Sequence, residues 1–137
     1  MGPDNFVSVV GLHLESRSET VRVKEVADVD RAIKQLDHPV IVAGDLNTTP
    51  TIAPMSNLDS DGVNAFEELI RLTGLAYSPA LPPAENELTF PAFGPKTTID
   101  WILFSADRFS LVEQEVIQTQ LSDHLPVVAE FEIKADK

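Results

Sequence analysis

The chain has 137 residues, of which 43% are hydrophobic and 23% charged, and this composition predicts one globular domain over residues 1–137. Its 22 Asp and Glu residues against 10 Lys and Arg residues give a net charge of −12. Such a surface lacks the basic footprint of a dedicated DNA binder and attracts divalent cations. The chain contains no cysteine, which excludes disulfides, thiolate metal ligands and a Cys nucleophile.

Membrane and targeting signals are not found in the sequence. No apolar stretch approaches the roughly 20 residues that a membrane helix requires. Met1–Asn5 lacks a basic region followed by a long apolar core, so we do not expect it to be a signal peptide. The sequence assigns the chain to no compartment.

The first third of the chain predicts a strand, a helix and a second strand. Phe6–Leu14 is rich in Val and Leu and short enough to be a buried strand. Ser16 and Glu19 fit a capping box, and the helix that they begin extends to about Leu36. Its apolar stripe consists of Val26, Val29, Ile33 and Leu36. The next strand is Val40–Ala43, and this order predicts an α/β layer with a right-handed crossover if the two strands are parallel.

The rest of the chain predicts one helix, two loops and three strands. Thr48–Ser60 is a polar loop, after which Asp61 caps a helix that Gly74 ends. The apolar residues of this helix are Val63, Phe66, Leu69 and Ile70. Ser78–Asn86 contains three prolines and predicts a loop that passes over the surface near the site. The predicted strands are Ile99–Phe104, Leu111–Gln118 and Leu125–Ile133, and residues 134–137 form a frayed tail.

Asp45 and Asn47 follow the second strand. Residues two apart in an extended chain point the same way, so both side chains can reach one site at the end of the strand. Gly44 lets the backbone turn there without steric cost. The carboxylate can accept a proton from water or hold a metal, and the amide can donate to a phosphoryl oxygen. Taken alone, the motif favours the alternative of an Asx-type turn that closes a strand.

Asp123, His124 and Asp100 are the next candidates. At a bend, Asp123 and His124 can line one pocket, with the imidazole as a base that another Asp orients. Ser122 followed by Asp also suits an ordinary turn, and this triplet alone favours that structural alternative. Asp100 stands between Ile and Trp in a strand, where a buried carboxylate needs a partner, and His124 is the natural candidate. The alternative is an Asp on an edge strand that faces water.

The other histidines carry weaker signals. His13 lies in an apolar strand, where an isolated histidine is usually a satisfied core residue, and His38 precedes Pro39 at a surface junction. The spacing of the three histidines does not match HExxH, and no P-loop, GxGxxG or GxSxG motif is present. These patterns leave zinc-protease, nucleotide-fold and nucleophile-elbow functions without support.

The order of the motifs resembles the endonuclease/exonuclease/phosphatase superfamily, which has the DNase I-like fold. The motifs in chain order are His13-Leu14, Gly44-Asp45-Leu46-Asn47, Thr89-Phe90-Pro91, Ile99-Asp100-Trp101-Ile102 and Ser122-Asp123-His124-Leu125-Pro126-Val127. The resemblance runs from about residue 6 to residue 133 and maps onto the C-terminal half of the family's domain. It implies an α/β fold with one mixed β-sheet and helices on one face, corresponding to half of a four-layer α/β-sandwich.

The resemblance implies roles for the residues at the first two strands. His13 resembles the histidine that contacts the substrate phosphate. Asp45 resembles the carboxylate that activates the attacking water, and it is also a candidate metal ligand. Asn47 resembles the amide that holds the phosphoryl group.

The resemblance implies roles for three later residues. Asp100 resembles the partner that orients the final histidine, Asp123 a metal-site carboxylate, and His124 the histidine that acts on the scissile phosphate. The implied reaction is Mg²⁺- or Mn²⁺-dependent hydrolysis of a phosphate ester, by a phosphodiesterase, phosphatase or nuclease. The substrate class, which includes small molecules, lipids and nucleic acids, stays open.

The family's N-terminal half normally supplies an Asn and a metal-anchoring Glu, and Met1–Asn5 is too short to contain them. We therefore expect weak or absent activity from this chain alone. A lone sheet exposes its inner apolar face, so we expect a homodimer through that face, or pairing with the N-terminal half. The alternative function is a non-catalytic half-domain that folds and self-associates.

Overall fold

A computed structural model describes residues 6–135, which form two helices and six strands. In chain order these elements are β1 (Ser8–His13), α1 (Glu19–Ile33), β2 (Val40–Asp45), α2 (Ala65–Thr73), β3 (Ala76–Ser78), β4 (Asp100–Phe104), β5 (Phe109–Val116) and β6 (Val127–Ile133). A short 3₁₀-helix, Glu85–Glu87, precedes β4. The expectations for Met1–Asn5 and for residues 136–137 of the tail predicted at 134–137 lie outside the described residues.

The predicted β–α–β order is confirmed, but helix α1 begins and ends at other residues than expected. Ser18 is its N-cap, and the hydroxyl oxygen accepts a hydrogen bond from the Val21 amide at 3.3 Å. The capping box of Ser16 and Glu19 was wrong because Glu19 is buried and binds the Arg22 guanidinium at 2.8 Å instead. The helix ends at Ile33, one turn before the predicted end.

Helix α2 also begins later than the sequence predicted. Its N-cap is Asn64 rather than Asp61, since the Asn64 side chain accepts a hydrogen bond from the Glu67 amide at 3.0 Å. Asp59, in the loop before it, accepts the amide of Asp61 at 2.9 Å and so forms a separate turn. Gly74 ends the helix in the left-handed conformation, as predicted.

Four of the strands form a mixed sheet in the order β1-β2-β4-β3. Strands β1 and β2 are parallel, which agrees with the helical crossover between them, whereas β4 runs antiparallel to both β2 and β3. Strand β3 falls partly within the predicted loop at 78–86. Strand β1 was expected to be buried, but it is an edge strand with alternating exposure, and Val9 is 74% exposed.

The two helices cover one face of this sheet, as the predicted fold class requires. Sheet and helix side chains form a single core there: Val40, Val42, Trp101 and Leu103 from the strands, and Val26, Phe66 and Leu69 from the helices. The rings of Phe66 and Trp101 are 4.4 Å apart. We call this surface the helix face and the opposite surface the open face.

The last two strands do not extend the sheet. Strands β5 and β6 pair antiparallel as a separate two-stranded sheet, so the expected single sheet is divided. A register shift between Leu111 and Glu113 interrupts this pairing. Phe131 of β6 packs on Phe104 of β4 with ring centroids 4.9 Å apart. The two-stranded sheet therefore covers part of the open face at the Phe104 end.

The chain just after β6 is held by a backbone hydrogen bond, which the N–H of Lys134 donates to the carbonyl of Arg108 at 2.8 Å. Neither helix within residues 6–135 has the length and apolar character to span a membrane.

Candidate active site

Three predicted residues lie side by side on neighbouring strands. In the sheet register His13 pairs with Asp45, and Asp45 pairs with Asp100. Directly paired residues of adjacent strands project from the same side of a sheet. The paired residues Gly11, Ala43 and Ile102 belong to the open face, so this row of His13, Asp45 and Asp100 lies at one end of that face.

The backbone after β2 is shaped by Gly44 and Asn47. Gly44 has a φ of 152°, and a Cβ atom there would lie 1.9 Å from the carbonyl oxygen of Leu12, so only glycine fits without moving the backbone. Asn47 has a φ of 49°, and its N–H donates to Asp45 Oδ1 at 2.9 Å. The Asx-type turn of the structural alternative is therefore formed. The side-chain nitrogen Nδ2 of Asn47 donates to the Leu14 carbonyl at 2.8 Å, and this hydrogen bond joins the ends of β1 and β2.

His124 comes from the loop before β6, and three contacts fix this loop. The carbonyl of Asp123 accepts a hydrogen bond from Ala92 at 2.7 Å, and the amide of His124 donates to Ser122 Oγ at 3.2 Å. The next residue, Leu125, is buried, and its amide donates to the carbonyl of Thr89 at 2.8 Å. The loop is thus held from both sides of the histidine.

His124 and Asp100 form a hydrogen-bonded pair. His124 Nδ1 lies 2.9 Å from Asp100 Oδ2 and 3.1 Å from Oδ1. An ionised carboxylate only accepts, so Nδ1 is the donor, and in a neutral imidazole Nε2 carries the lone pair. The alternative of an Asp on an edge strand facing water was wrong, because Asp100 is hydrogen bonded to His124 and β4 lies between β2 and β3.

The surroundings shift the pKa values of both partners. Burial raises the pKa of Asp100 above its ordinary 3.8, although hydrogen bonds from Thr89 and His124 oppose the shift. For His124, burial lowers the pKa, but the hydrogen bond to Asp100 and the charges of Asp100, Asp45 and Asp123 raise it. The net pKa of His124 lies above its ordinary 6.5.

The second ring nitrogen of His124 faces Asp45. The distance from Nε2 to Asp45 Oδ2 is 3.7 Å, and His13 Nε2 lies 3.6 Å from the same oxygen. Both distances exceed a hydrogen bond, so a small ligand atom has room near Oδ2. The His13 side chain is 76% exposed, which rules out the alternative of a satisfied core histidine.

A cavity of about 530 Å³ contains all of the predicted site residues. It is lined by His13, Ser16, Asp45, Asn47, Phe90, Asp100, Ser122, Asp123 and His124. No lysine or arginine is among these described lining residues, so the imidazoles are the only side chains there that can carry a positive charge, and the other donors to an anion are neutral N–H and O–H groups. Three carboxylates in the same cavity would repel a phosphate without a bound cation.

Asp45, Asp100 and His124 each offer a ligand atom, and these atoms lie within 4.8 Å of one another. The carboxylate of Asp100 already accepts hydrogen bonds from His124 Nδ1 and from the Thr89 hydroxyl, the latter at 2.7 Å. Its contacts therefore fit a residue that orients the histidine better than a metal ligand. Asp45 Oδ2 remains accessible for a metal. The exposed Asp123 lines the same cavity, and its Oδ1 lies 3.4 Å from Ser122 Oγ. Carboxylate oxygens are the ligands that Mg²⁺ and Mn²⁺ prefer.

Sequence reasoning missed three residues of this site. Ser16 lines the cavity instead of capping a helix, and the ring of Phe90 packs on that of His124 with centroids 4.8 Å apart. Thr89 donates to Asp100. The motif Thr89-Phe90-Pro91 was the available signal, but the sequence alone does not indicate which side chain its loop brings to Asp100.

Residues 3–124 match the sequence model of the endonuclease/exonuclease/phosphatase family. A search among curated proteins finds no significant match.

Solved structures with the same fold agree with this match. A mannosyl-6-phosphatase from Bacteroides thetaiotaomicron superposes with a TM-score of 0.65 at 20% identity, over 90% of this chain and 50% of that one. The human Nocturnin catalytic domain with bound sulfate superposes with a TM-score of 0.65 at 19% identity, over 93% of this chain and 46% of that one. A 3′ phosphatase from Neisseria bound to a product DNA hairpin gives 0.64 at 18% identity, over 90% and 60%. This chain therefore spans about half the length of these structures, and at these identities the likeness concerns the fold.

Proposed function

The chain belongs to the endonuclease/exonuclease/phosphatase family, and from that premise we propose that it carries the site of a metal-dependent phosphoester hydrolase. One observation supports this most directly: His124 is hydrogen bonded through Nδ1 to Asp100 while Nε2 faces Asp45 across 3.7 Å. An oriented imidazole opposite a carboxylate in an open cavity is suited to activating water.

In the proposed reaction Asp45 and His124 activate one water molecule between them. A water oxygen can lie within hydrogen-bond distance of both Asp45 Oδ2 and His124 Nε2. This oxygen attacks phosphorus, its proton passes to Asp45, and the ester oxygen leaves from the opposite side. His124, whose pKa is raised, directs Nε2–H to a phosphoryl oxygen when it is protonated. His13 and Asn47 contact the other phosphoryl oxygens.

Asp45 and Asp123 are the residues that would hold a divalent cation, Mg²⁺ or Mn²⁺. Both carboxylates line the cavity, and Asp45 Oδ2 lies beyond hydrogen-bond distance of the two facing imidazoles. When bound, such an ion neutralises charge that develops on the phosphoryl oxygens. The acidic composition and the lack of Lys and Arg among the described lining residues make this contribution necessary.

The substrate is proposed to be a small phosphoester rather than duplex DNA. A net charge of −12 repels a polyanion, and duplex binding depends on Lys and Arg contacts to many phosphates. The solved structures of similar fold include a sugar phosphatase and a DNA 3′ phosphatase, so both substrate types belong in the test.

The test is hydrolysis of chromogenic phosphodiesters and phosphomonoesters in the presence of Mg²⁺ or Mn²⁺. We expect Asp45→Ala and His124→Ala each to lower the rate by about 10²–10⁴-fold. His38→Ala is the matched control, since His38 is exposed and does not line the site cavity. A rate that neither site substitution lowers would reject the catalytic assignments. We expect weak turnover from this chain and stronger turnover from a version extended at its N-terminus.

The alternative is a half-domain that folds and self-associates without catalysis. The observation that favours it is the edge of the open face, where Val9 is 74% exposed beside its apolar partner Ile41 on β2. An uncovered apolar face favours association with a second copy or with the other half of the family's domain. A clean monomer in sedimentation velocity at micromolar concentration would contradict this alternative.

A further inference from the structure

Thr89 lies behind the candidate site, where it is fully buried. Its hydroxyl oxygen is 2.7 Å from Asp100 Oδ2, 3.2 Å from the Ile99 amide nitrogen and 3.4 Å from the Asp100 amide nitrogen. The two amides can only donate, so the single hydroxyl proton is free for the carboxylate. The Thr89 hydroxyl therefore donates to Asp100, and its direction is fixed by the backbone.

The same residue also holds the segment that carries His124. The Thr89 carbonyl accepts the Leu125 amide at 2.8 Å, directly after the histidine. The neighbouring Phe90 ring packs on the His124 ring with centroids 4.8 Å apart. The Thr89 hydroxyl thus contacts Asp100 and the Phe90 ring contacts His124, while the Thr89 carbonyl holds the residue that follows the histidine.

Two nearby threonines provide an internal comparison. Thr97 and Thr98 are also buried, and their hydroxyls donate to backbone carbonyls, Thr97 to Pro54 at 3.0 Å and Thr98 to Glu87 at 2.8 Å. Of these three buried threonines, only Thr89 directs its hydroxyl to a site carboxylate. Structural support of a loop therefore does not by itself explain the position of Thr89.

We propose that Thr89 is a positioning residue that holds Asp100 so that neutral His124 is kept in the Nδ1–H tautomer, with Nε2 free towards Asp45. The catalytic value of this role rests on the proposed function, but the tautomer of His124 can be observed without metal or substrate. Asp100 Oδ2 accepts from Thr89 and from His124 together, so losing the first donor allows the carboxylate to rotate away from Nδ1. The geometry of residue 89 therefore controls which nitrogen of neutral His124 presents its lone pair towards Asp45.

The experiment is ¹⁵N NMR of the imidazole nitrogens of His124 in the metal-free full chain, at a pH where the ring is neutral. A hydrogen bond to a carboxylate predicts at least about a tenfold excess of the Nδ1–H tautomer in the wild type. Thr89→Val keeps the shape and removes the hydroxyl, and we expect the nitrogen shifts to move to a mixture of both tautomers. Thr89→Ser keeps the hydroxyl and should retain the single tautomer.

Thr98→Val is the matched control, because it removes a buried threonine hydroxyl that does not contact Asp100. We expect it to lower stability while leaving the His124 nitrogen shifts unchanged. Wild-type shifts in Thr89→Val, or a tautomer mixture in Thr89→Ser, would overturn the proposal, and the serine variant decides the matter if the valine variant does not fold. The expected tautomers, together with no hydrolysis even from a version extended at its N-terminus, would reject the proposed function and retain the positioning role.

Discussion

The helix face and the open face of the four-stranded sheet use the same strands in opposite ways. On the helix face, Val42 and Leu103 are completely buried beneath the two helices. On the open face, burial varies across the sheet: Phe104 on β4 is buried, whereas Val9 on the edge strand β1 is 74% exposed. The row of His13, Asp45 and Asp100 lies at one end of the open face and has no counterpart among the helix-face residues named above.

The helix face therefore supplies most of the packing, whereas the open face carries the candidate site residues. Close packing on the helix face fixes the strands relative to one another, and the strand register then fixes the distance between the site residues. The open face carries the candidate site at one end, and it retains a groove of about 410 Å³ beside Ala43, Ile102 and the loop at 122–127. We therefore expect substitutions on the two faces to have different consequences.

The largest expected effect is on the helix face, at Phe66. This ring is 1% exposed and contacts both Trp101 and Tyr77, so Phe66→Ala leaves a cavity and should lower the free energy of unfolding by about 3–5 kcal/mol. Urea denaturation followed by tryptophan fluorescence measures this change. Val9→Ala on the open face is the control and should stay within about 0.5 kcal/mol of the wild type. Equal losses for both variants would contradict the distinction between the faces.

A smaller loss of stability is expected at Gly44, the β2 residue directly before Asp45. A methyl group at this residue collides with the Leu12 carbonyl at 1.9 Å, so Gly44→Ala should cost about 1–3 kcal/mol of backbone strain and separate His13 from Asp45. Gly11→Ala is a matched control, because an added Cβ there has no neighbour within 4 Å. Denaturation gives the stability of both variants, and hydrolysis rates report the site. A Gly44→Ala protein as stable and active as Gly11→Ala would argue against this geometry.

The sequence predicted the elements well and their edges less well. Apolar periodicity located both helices and five of the six strands, because burial on one face imposes that pattern. The helix caps were misplaced because Glu19 turns inward to Arg22, and Asn64 rather than Asp61 reaches the free amides of α2. These choices depend on neighbours that come from other parts of the fold.

The site residues were predicted individually, whereas their arrangement was not. The cost of burying a carboxylate suggested His124 as the partner of Asp100, and the structure places the two within hydrogen-bond distance. The row of His13, Asp45 and Asp100 depends on the register of β2 against β4, which are separated by a long segment with its own helix and strand. Neither this register nor the contact of Thr89 with Asp100 has a local sequence signal.

The pH dependence of stability sharpens the comparison through His124. Because its folded pKa is raised above 6.5, the folded state binds the proton more tightly than the unfolded state. The contribution is complete below pH 6.5 and is lost as the pH rises through the raised folded pKa, so stability should fall across that window. Denaturation at several pH values in the absence of metal measures the slope. His124→Gln should remove this part of the slope and His38→Gln should leave it, and an unchanged slope in His124→Gln would count against the raised pKa.

The smallest effect on stability is expected on the open face itself, from Val9→Asp. Val9 is 74% exposed on an edge strand, so the change should alter the free energy of unfolding by no more than about 0.5 kcal/mol. If the open face pairs with a second copy, however, the new carboxylate is desolvated in the dimer and self-association should be lost. Sedimentation velocity at micromolar concentration, with Val21→Asp on the exposed side of α1 as the control, distinguishes the two consequences. Association that survives Val9→Asp and disappears in Val21→Asp would place the contact on the helices rather than on the open face.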